Sequence, residues 1–97
     1  MPIIESNIDK SSNNYKSNYT YNKKISCELH DLKNKISQMG PALNVKKHMA
    51  RGKLNVRQRI ELLKDNESSF IEFSELAGYK VYDEYLPACG IITGIIT

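Results

Sequence analysis

Tryptophan is absent from this 97-residue chain, and its aromatics are six tyrosines and two phenylalanines. Any core must therefore come from Ile, Leu, Val and a few rings, in a chain only 40% apolar. That is thin support for a self-sufficient fold, because a chain this short buries a modest fraction of its surface. Apolar runs are short, and none approaches the ~18 residues of a membrane span. Arginine does not occur before Arg51, while Glu5 and Asp9 are present. Met1-Pro2-Ile3-Ile4-Glu5 lacks the charged and apolar regions of a secretory signal, and the segment lacks the Arg-rich, acid-poor character of a transit peptide. The expectation is a cytoplasmic protein with no membrane contact.

Chemistry-bearing constellations are also scarce. Cys27 and Cys89 lie far apart and match no metal or redox spacing, so they read as free thiols in a reducing compartment. His30 and His48 lack the i, i+4 spacing of helical zinc sites, which excludes that metal class. Gly90-xxx-Gly94 sits in a strand-like run without a following Lys, so it is no phosphate loop. Asn18-Tyr19-Thr20 and Asn66-Glu67-Ser68 fit the glycosylation pattern, as an Asn-rich chain does by chance.

What is present is ordered along the chain. Residues 1–20 are polar, rich in Ser, Asn and Lys, and read as a mobile arm that cannot offset ordering entropy. From Tyr21 to Met39 a helix is predicted, since Ile25, Leu29, Leu32, Ile36 and Met39 fall on one stripe. Gly40-Pro41 ends it, with Gly suited to the C-cap. The stripe is too short for a coiled coil and suits packing against its own domain or a partner subunit. A short helix follows at Val45–Ala50. Asn55 caps a third, with Val56, Ile60 and Leu63 on one face and Asp65-Asn66 closing it. The pattern then changes. Ser69–Phe73 reads as a strand with Phe70 and Glu72 on one face and Ile71 and Phe73 on the other. Ala77-Gly78 marks a turn, Val81-Tyr82 can start a strand, and residues 90–97 suit a strand buried on both faces. Nothing in the chain supplies layers for such a strand, so a truncation at the C-terminus is expected. The fold class is α+β.

Charge is segregated. Between Leu32 and Ile60 there are no acids but eight bases: Lys33, Lys35, Lys46, Lys47, Arg51, Lys53, Arg57 and Arg59. Between Glu61 and Glu84 there are seven acids against Lys64 and Lys80. Three readings compete. The basic block could meet nucleic acid, grip the phosphates of a nucleotide-like ligand such as coenzyme A, or form a solvated face that pairs with the acidic half or a partner subunit. No nucleic-acid motif accompanies it, and the net charge is only +3.

From His48 to Ile95 the sequence resembles the start of the carboxyltransferase domain of biotin-dependent acyl-CoA carboxylases. The residues that carry the resemblance are Arg51-Gly52-Lys53-Leu54, Arg57-Gln58-Arg59-Ile60, Leu62-Leu63-Lys64-Asp65 and Ser69-Phe70-Ile71-Glu72. Leu76-Ala77-Gly78-Tyr79, Val81-Tyr82-Asp83 and Gly90–Ile95 look like the methylcrotonoyl type within that family. The opening Met1–Ser6 with Ile8-Asp9 is similar to bacterial forms without a targeting peptide. The chain departs from the pattern at Gly40-Pro41-Ala42, at Asn55-Val56 where Leu-Pro is common, at Cys89 where Gly is usual, and at Ile96-Thr97, where the family continues.

The resemblance implies the first strands of a crotonase-like β-β-α superhelix. It implies transfer of a carboxyl group from carboxybiotin to 3-methylcrotonoyl-CoA in leucine breakdown, with geranoyl- or propionyl-CoA as alternative acceptors. A small basic module for RNA or protein is the alternative from another class. Biotin would ride on the partner α subunit, with none bound by this chain, and other β subunits would complete the assembly. Localisation would be cytoplasmic in a bacterial form and the mitochondrial matrix in a eukaryotic one. No catalytic residue of the family falls on this chain, so the chain alone is expected to be inactive. The candidate site residues are Arg51, Lys53, Arg57 and Arg59, as contacts to coenzyme A phosphates or a subunit. The competing role for these four is helix capping and ion pairing with acids such as Glu61 and Asp65.

Overall fold

A computed structural model describes residues 2–97. The elements are α1 (Asn13–Ser37), α2 (Ala42–Ala50), α3 (Val56–Leu63), β1 (Ile71–Phe73) and β2 (Thr93–Ile95), with a tight turn at Pro87–Gly90 before β2. The chain divides into two units, one ending at Asp31 and the other spanning Leu32–Thr97. Helices followed by strands make an α+β arrangement, as expected.

Helix α1 begins at Asn13, eight residues before the predicted start at Tyr21. The cause is local. The Asp9 carboxylate accepts from the Ser11 N–H at 2.9 Å and from the Ser11 hydroxyl at 2.5 Å. Ser12 then caps the helix, its hydroxyl oxygen accepting from the Tyr15 N–H at 3.1 Å. A Ser at this position satisfies one of the donors that a helix start leaves unpaired. The second half of the polar segment 1–20 is therefore helical, and its side chains are almost all exposed.

Along the stripe, Ile25 and Leu29 are exposed, Leu32 is half-buried and Ile36 is only 2% exposed. The helix thus packs only at its C-terminal end. Its stop differs from the expectation. Met39, not Gly40, takes the left-handed conformation, with φ of 74°. Pro41 disfavours helical backbone at the residue before it, so the reversal falls one position earlier.

Helix α2 starts on the Pro41 carbonyl, which accepts from Asn44 and Val45 at 2.9 and 3.1 Å. It ends at Ala50, and the chain turns away at Gly52, whose φ of 75° suits glycine. Helix α3 opens on a reciprocal capping box. Asn55 Oδ1 accepts from the Gln58 N–H at 2.9 Å, and Gln58 Oε1 accepts from the Asn55 N–H at 3.0 Å.

Strands β1 and β2 pair antiparallel, with Ile71 opposite Ile95, Glu72 opposite Gly94 and Phe73 opposite Thr93. The Asp65 N–H donates to the Thr97 carbonyl at 2.7 Å, which ties the end of α3 to the end of β2. Glycine is required at position 94. A Cβ there would fall on the Ile71 carbonyl oxygen and on the Phe70 ring.

Two expectations are corrected. Val81-Tyr82 is a turn: Gly78 and Lys80 have φ of 75° and 56°, which breaks any extended run, and both residues are exposed. The strand within residues 90–97 is not buried on both faces, since every residue of β2 is exposed. Ile71, Phe73 and Ile95 on one face of the hairpin are all exposed. Among the described residues, Ile36 and Ala88 are the only buried apolar side chains. Cys27 and Cys89 are free and exposed.

Candidate functional site

The four candidate bases come from two helix ends and the loop between them. Arg51 is the C-cap of α2, Lys53 lies in the loop, and Arg57 and Arg59 lie in α3. Arg57 and Arg59 are two positions apart on a helix, so they point to different sides. Burial agrees: Arg57 is half-buried and Arg59 exposed.

Arg57 reaches across to β1. Its Nη1 and Nη2 donate to the two Glu72 carboxylate oxygens at 2.6 and 2.8 Å. The side chains are 21% and 9% exposed. This is a bidentate, partly desolvated pair that fixes α3 against the hairpin. Its partner is Glu72, while Glu61 instead pairs with Lys64 at 3.3 Å. Lys64 also donates to the Ser68 carbonyl at 2.7 Å. A second pair joins the basic and acidic segments, Lys33 to Glu75 at 3.1 Å. Two of the eight bases in the basic block are thus spent on the acidic half, as one of the three readings anticipates. Lys35 lies over the Tyr85 ring at 5.4 Å. Among the described residues, no carboxylate lies within ion-pair distance of Arg51, Lys53 or Arg59.

An open groove of about 680 Å³ lies beside the capping box, between α2, the start of α3 and residues 84–87; a smaller cleft of about 130 Å³ is lined by Arg57 with Ile36, Val56 and Ile92. Val45, Val56, Tyr85, Leu86 and Pro87 give the groove apolar walls. None of the four candidate bases lines the groove. Two of its polar side chains are already engaged, His48 Nε2 with the Leu54 carbonyl at 3.0 Å and Asn55 with Gln58. The groove offers no converging charge for a phosphate. No cluster of three metal-ligating side chains occurs among the described residues. No helix there is long and apolar enough to cross a membrane. Sequence reasoning missed Glu72 as the partner of Arg57 and missed the groove. The signal for Glu72 was available, as a lone acid on a strand face beside Phe70.

Comparison with known proteins finds relatives of one kind. No protein-family profile matches the chain. Individual relatives do, and they are β chains of biotin-dependent acyl-CoA carboxylases. A biotin-dependent 3-methylcrotonyl-coenzyme A carboxylase β1 subunit from Mycobacterium tuberculosis is 46% identical over 50 residues, 52% of this chain and 10% of that protein.

Within that class the resemblance is to the methylcrotonoyl-CoA carboxylase β chain, and it runs over nearly the whole sequence. The mitochondrial β chain of Arabidopsis thaliana is 41% identical over 93 residues, 96% of this chain. That of Dictyostelium discoideum is 45% identical over 98 aligned positions, again 96% of this chain. The chain spans 16% of the length of each of these two relatives.

Proposed function

We propose that this chain is the lead-in segment of a carboxyltransferase subunit that carboxylates 3-methylcrotonoyl-CoA. The observation that supports it is identity of 41% and 45% over 96% of the chain with two methylcrotonoyl-CoA carboxylase β chains. In this reading the β1/β2 hairpin supplies the first strands of a crotonase-like superhelix, and α1–α3 form its helical approach. Biotin is carried by a partner α subunit. The apolar groove beside Tyr85 has no free set of converging donors for its ureido group, so no step is routed through these residues.

The role of this chain's own residues is scaffolding. Arg57 and Glu72 lock α3 to the hairpin, and the Asn55–Gln58 box sets where α3 begins. Arg51, Lys53 and Arg59, for which no ion-pair partner occurs among the described residues, remain for the acyl-CoA phosphates or a neighbouring subunit. Oxyanion stabilisation needs oriented donors on a packed scaffold, and that work belongs to the part of the relatives outside the match. The compartment follows the form: cytoplasm for a bacterial protein, mitochondrial matrix for a eukaryotic one.

The test is a hybrid in which this chain replaces the matched stretch of the Dictyostelium β chain. It is assayed with its biotinylated partner, ATP and labelled bicarbonate. Acid-stable label is expected with 3-methylcrotonoyl-CoA, with less from geranoyl- or propionyl-CoA. An assembled hybrid that labels none of the three would overturn the proposal.

A further inference from the structure

Arg57 carries one more donor than its pair with Glu72 uses. Nη1 and Nη2 are bonded to the two carboxylate oxygens. Nε also bears a hydrogen, and it is buried with no acceptor among the described residues. The Glu72 carboxylate sits off the Nη1–Nη2 end of the planar guanidinium, so it does not also meet Nε. A buried N–H left unbonded is rare in folded proteins, and one on a charged group costs more than a neutral one.

The space beside Arg57 is the cleft of about 130 Å³. It lies between the end of α1, the start of α3 and the turn before β2, all within the unit Leu32–Thr97. Arg57 is the one lining residue whose side chain carries a nitrogen or oxygen atom. Any acceptor from the chain is therefore a main-chain one. Gly40 lines the cleft and is half-buried, and among the described residues no backbone hydrogen bond uses its N–H or its carbonyl. A buried water needs ~15 Å³ of such space and at least two polar partners. The cleft exceeds the first by a wide margin, and Arg57 Nε with the Gly40 carbonyl supplies the second.

We propose that this cleft binds an ordered water molecule, which accepts from Arg57 Nε and donates to the Gly40 carbonyl. Water is favoured over an anion, because Glu72 already neutralises the guanidinium and apolar walls penalise a further charge. Arg57 then ties α3 to two other parts of the unit. Its fork bonds β1, and its Nε bonds the junction of α1 and α2 through the water. None of this depends on the carboxyltransferase reading.

The test is nuclear magnetic resonance of the 97-residue chain by itself, where no other polypeptide can supply the acceptor. The Arg57 Hε resonance is assigned in isotope-labelled protein by its loss in Arg57→Lys, and is followed at low temperature in sucrose. Hε is expected to exchange with solvent more slowly than that of exposed Arg59 by about tenfold or more, as for a group reached only by local opening. A direct cross-relaxation peak from Hε to water is also expected, and no hydroxyl lines the cleft to relay one. Exchange as fast as that of Arg59 would overturn the proposal, and so would slow exchange without a water peak. Val56→Ile adds one carbon to the cleft wall and should crowd the water out. The water peak should then vanish and the urea midpoint fall, because Nε is left without an acceptor. Filling a dry apolar cleft gains contacts and raises the midpoint instead, and that result would overturn the proposal. A water peak that survives the substitution places the water elsewhere and overturns it too. If Val56→Ile does not fold, the two measurements on the unsubstituted chain decide.

Discussion

Removing Arg57 separates a structural role from a ligand-binding one. Arg57→Ala deletes both charge-assisted bonds to Glu72 and leaves that carboxylate, with its side chain 9% exposed, facing α3 without a partner. Breaking a fully buried pair costs about 3–5 kcal/mol. Arg57 keeps 21% exposure, so water partly replaces the lost donors, and about 2–3 kcal/mol is the expected loss, in line with the worth of charged hydrogen bonds. The unit Leu32–Thr97 has a total stability near ~3 kcal/mol at the low end of the per-residue range. The substitution should therefore take most of it. Arg57→Lys keeps the charge but loses the fork, and should cost about 1 kcal/mol. The assay is urea unfolding at low temperature, followed by far-ultraviolet circular dichroism and tyrosine fluorescence. Sucrose is held constant to keep a folded baseline for every variant. A double cycle of Arg57→Met with Glu72→Gln should show positive coupling of about 1–2 kcal/mol. A loss under ~0.5 kcal/mol, typical of exposed pairs, would refute the structural assignment and return Arg57 to the pool of free cations.

Three further outcomes are expected. Asn55→Ala removes the acceptor of the Gln58 N–H and should cost about 1 kcal/mol in the same titration. At Cys89, where φ is 52°, Cys89→Val should destabilise by about 1–2 kcal/mol, while Cys89→Gly should be neutral or stabilising; equal effects would contradict the left-handed turn. The Asp9 carboxyl is held below its ordinary 3.8, first by the Ser11 hydroxyl and then by the Ser11 N–H. A depressed folded-state value means its contribution to the start of α1 is complete above that pH and is lost as pH falls through the lower, folded value. A carboxyl titration by nuclear magnetic resonance should find Asp9 below 3.8, and Ser11→Ala should move it back up. An unmoved value would contradict this cap.

Where local chemistry decides, the sequence was legible. Asn55 and Gln58 stand three apart before an apolar-periodic run, and the capping box forms there. The alternation of Ser69–Phe73 assigns Phe70 and Glu72 to one face and Ile71 and Phe73 to the other, and the register agrees. The start of α1 was misplaced because a helix start can be set by Asp9, Ser11 and Ser12 with no apolar residue nearby, while periodicity registers only the packed stripe. Met39 and the Val81-Tyr82 turn were missed for a different reason. Residues with φ above zero at Met39, Lys80, Ala88 and Cys89 are costly locally. Non-glycine types carry no sequence mark of that state. At position 89 the only hint was a Cys where the resembled family usually has Gly.

The basic block shows where composition stops informing. Eight bases without an acid reads as one positive surface, yet the fold divides it. Lys33 and Arg57 go inward to Glu75 and Glu72, forty-two and fifteen residues further along the chain. Such separations lie outside any local pattern. Helical geometry alone splits Arg57 from Arg59, since two positions on a helix never share a face. What remains free is Arg51, Lys53 and Arg59, while the large groove nearby is apolar and lined by none of them. The free cations and the large groove therefore do not coincide. A ligand-binding pocket normally combines the two, with a few polar groups converging in an apolar cleft. Their separation here is why no ligand contact is assigned to the groove.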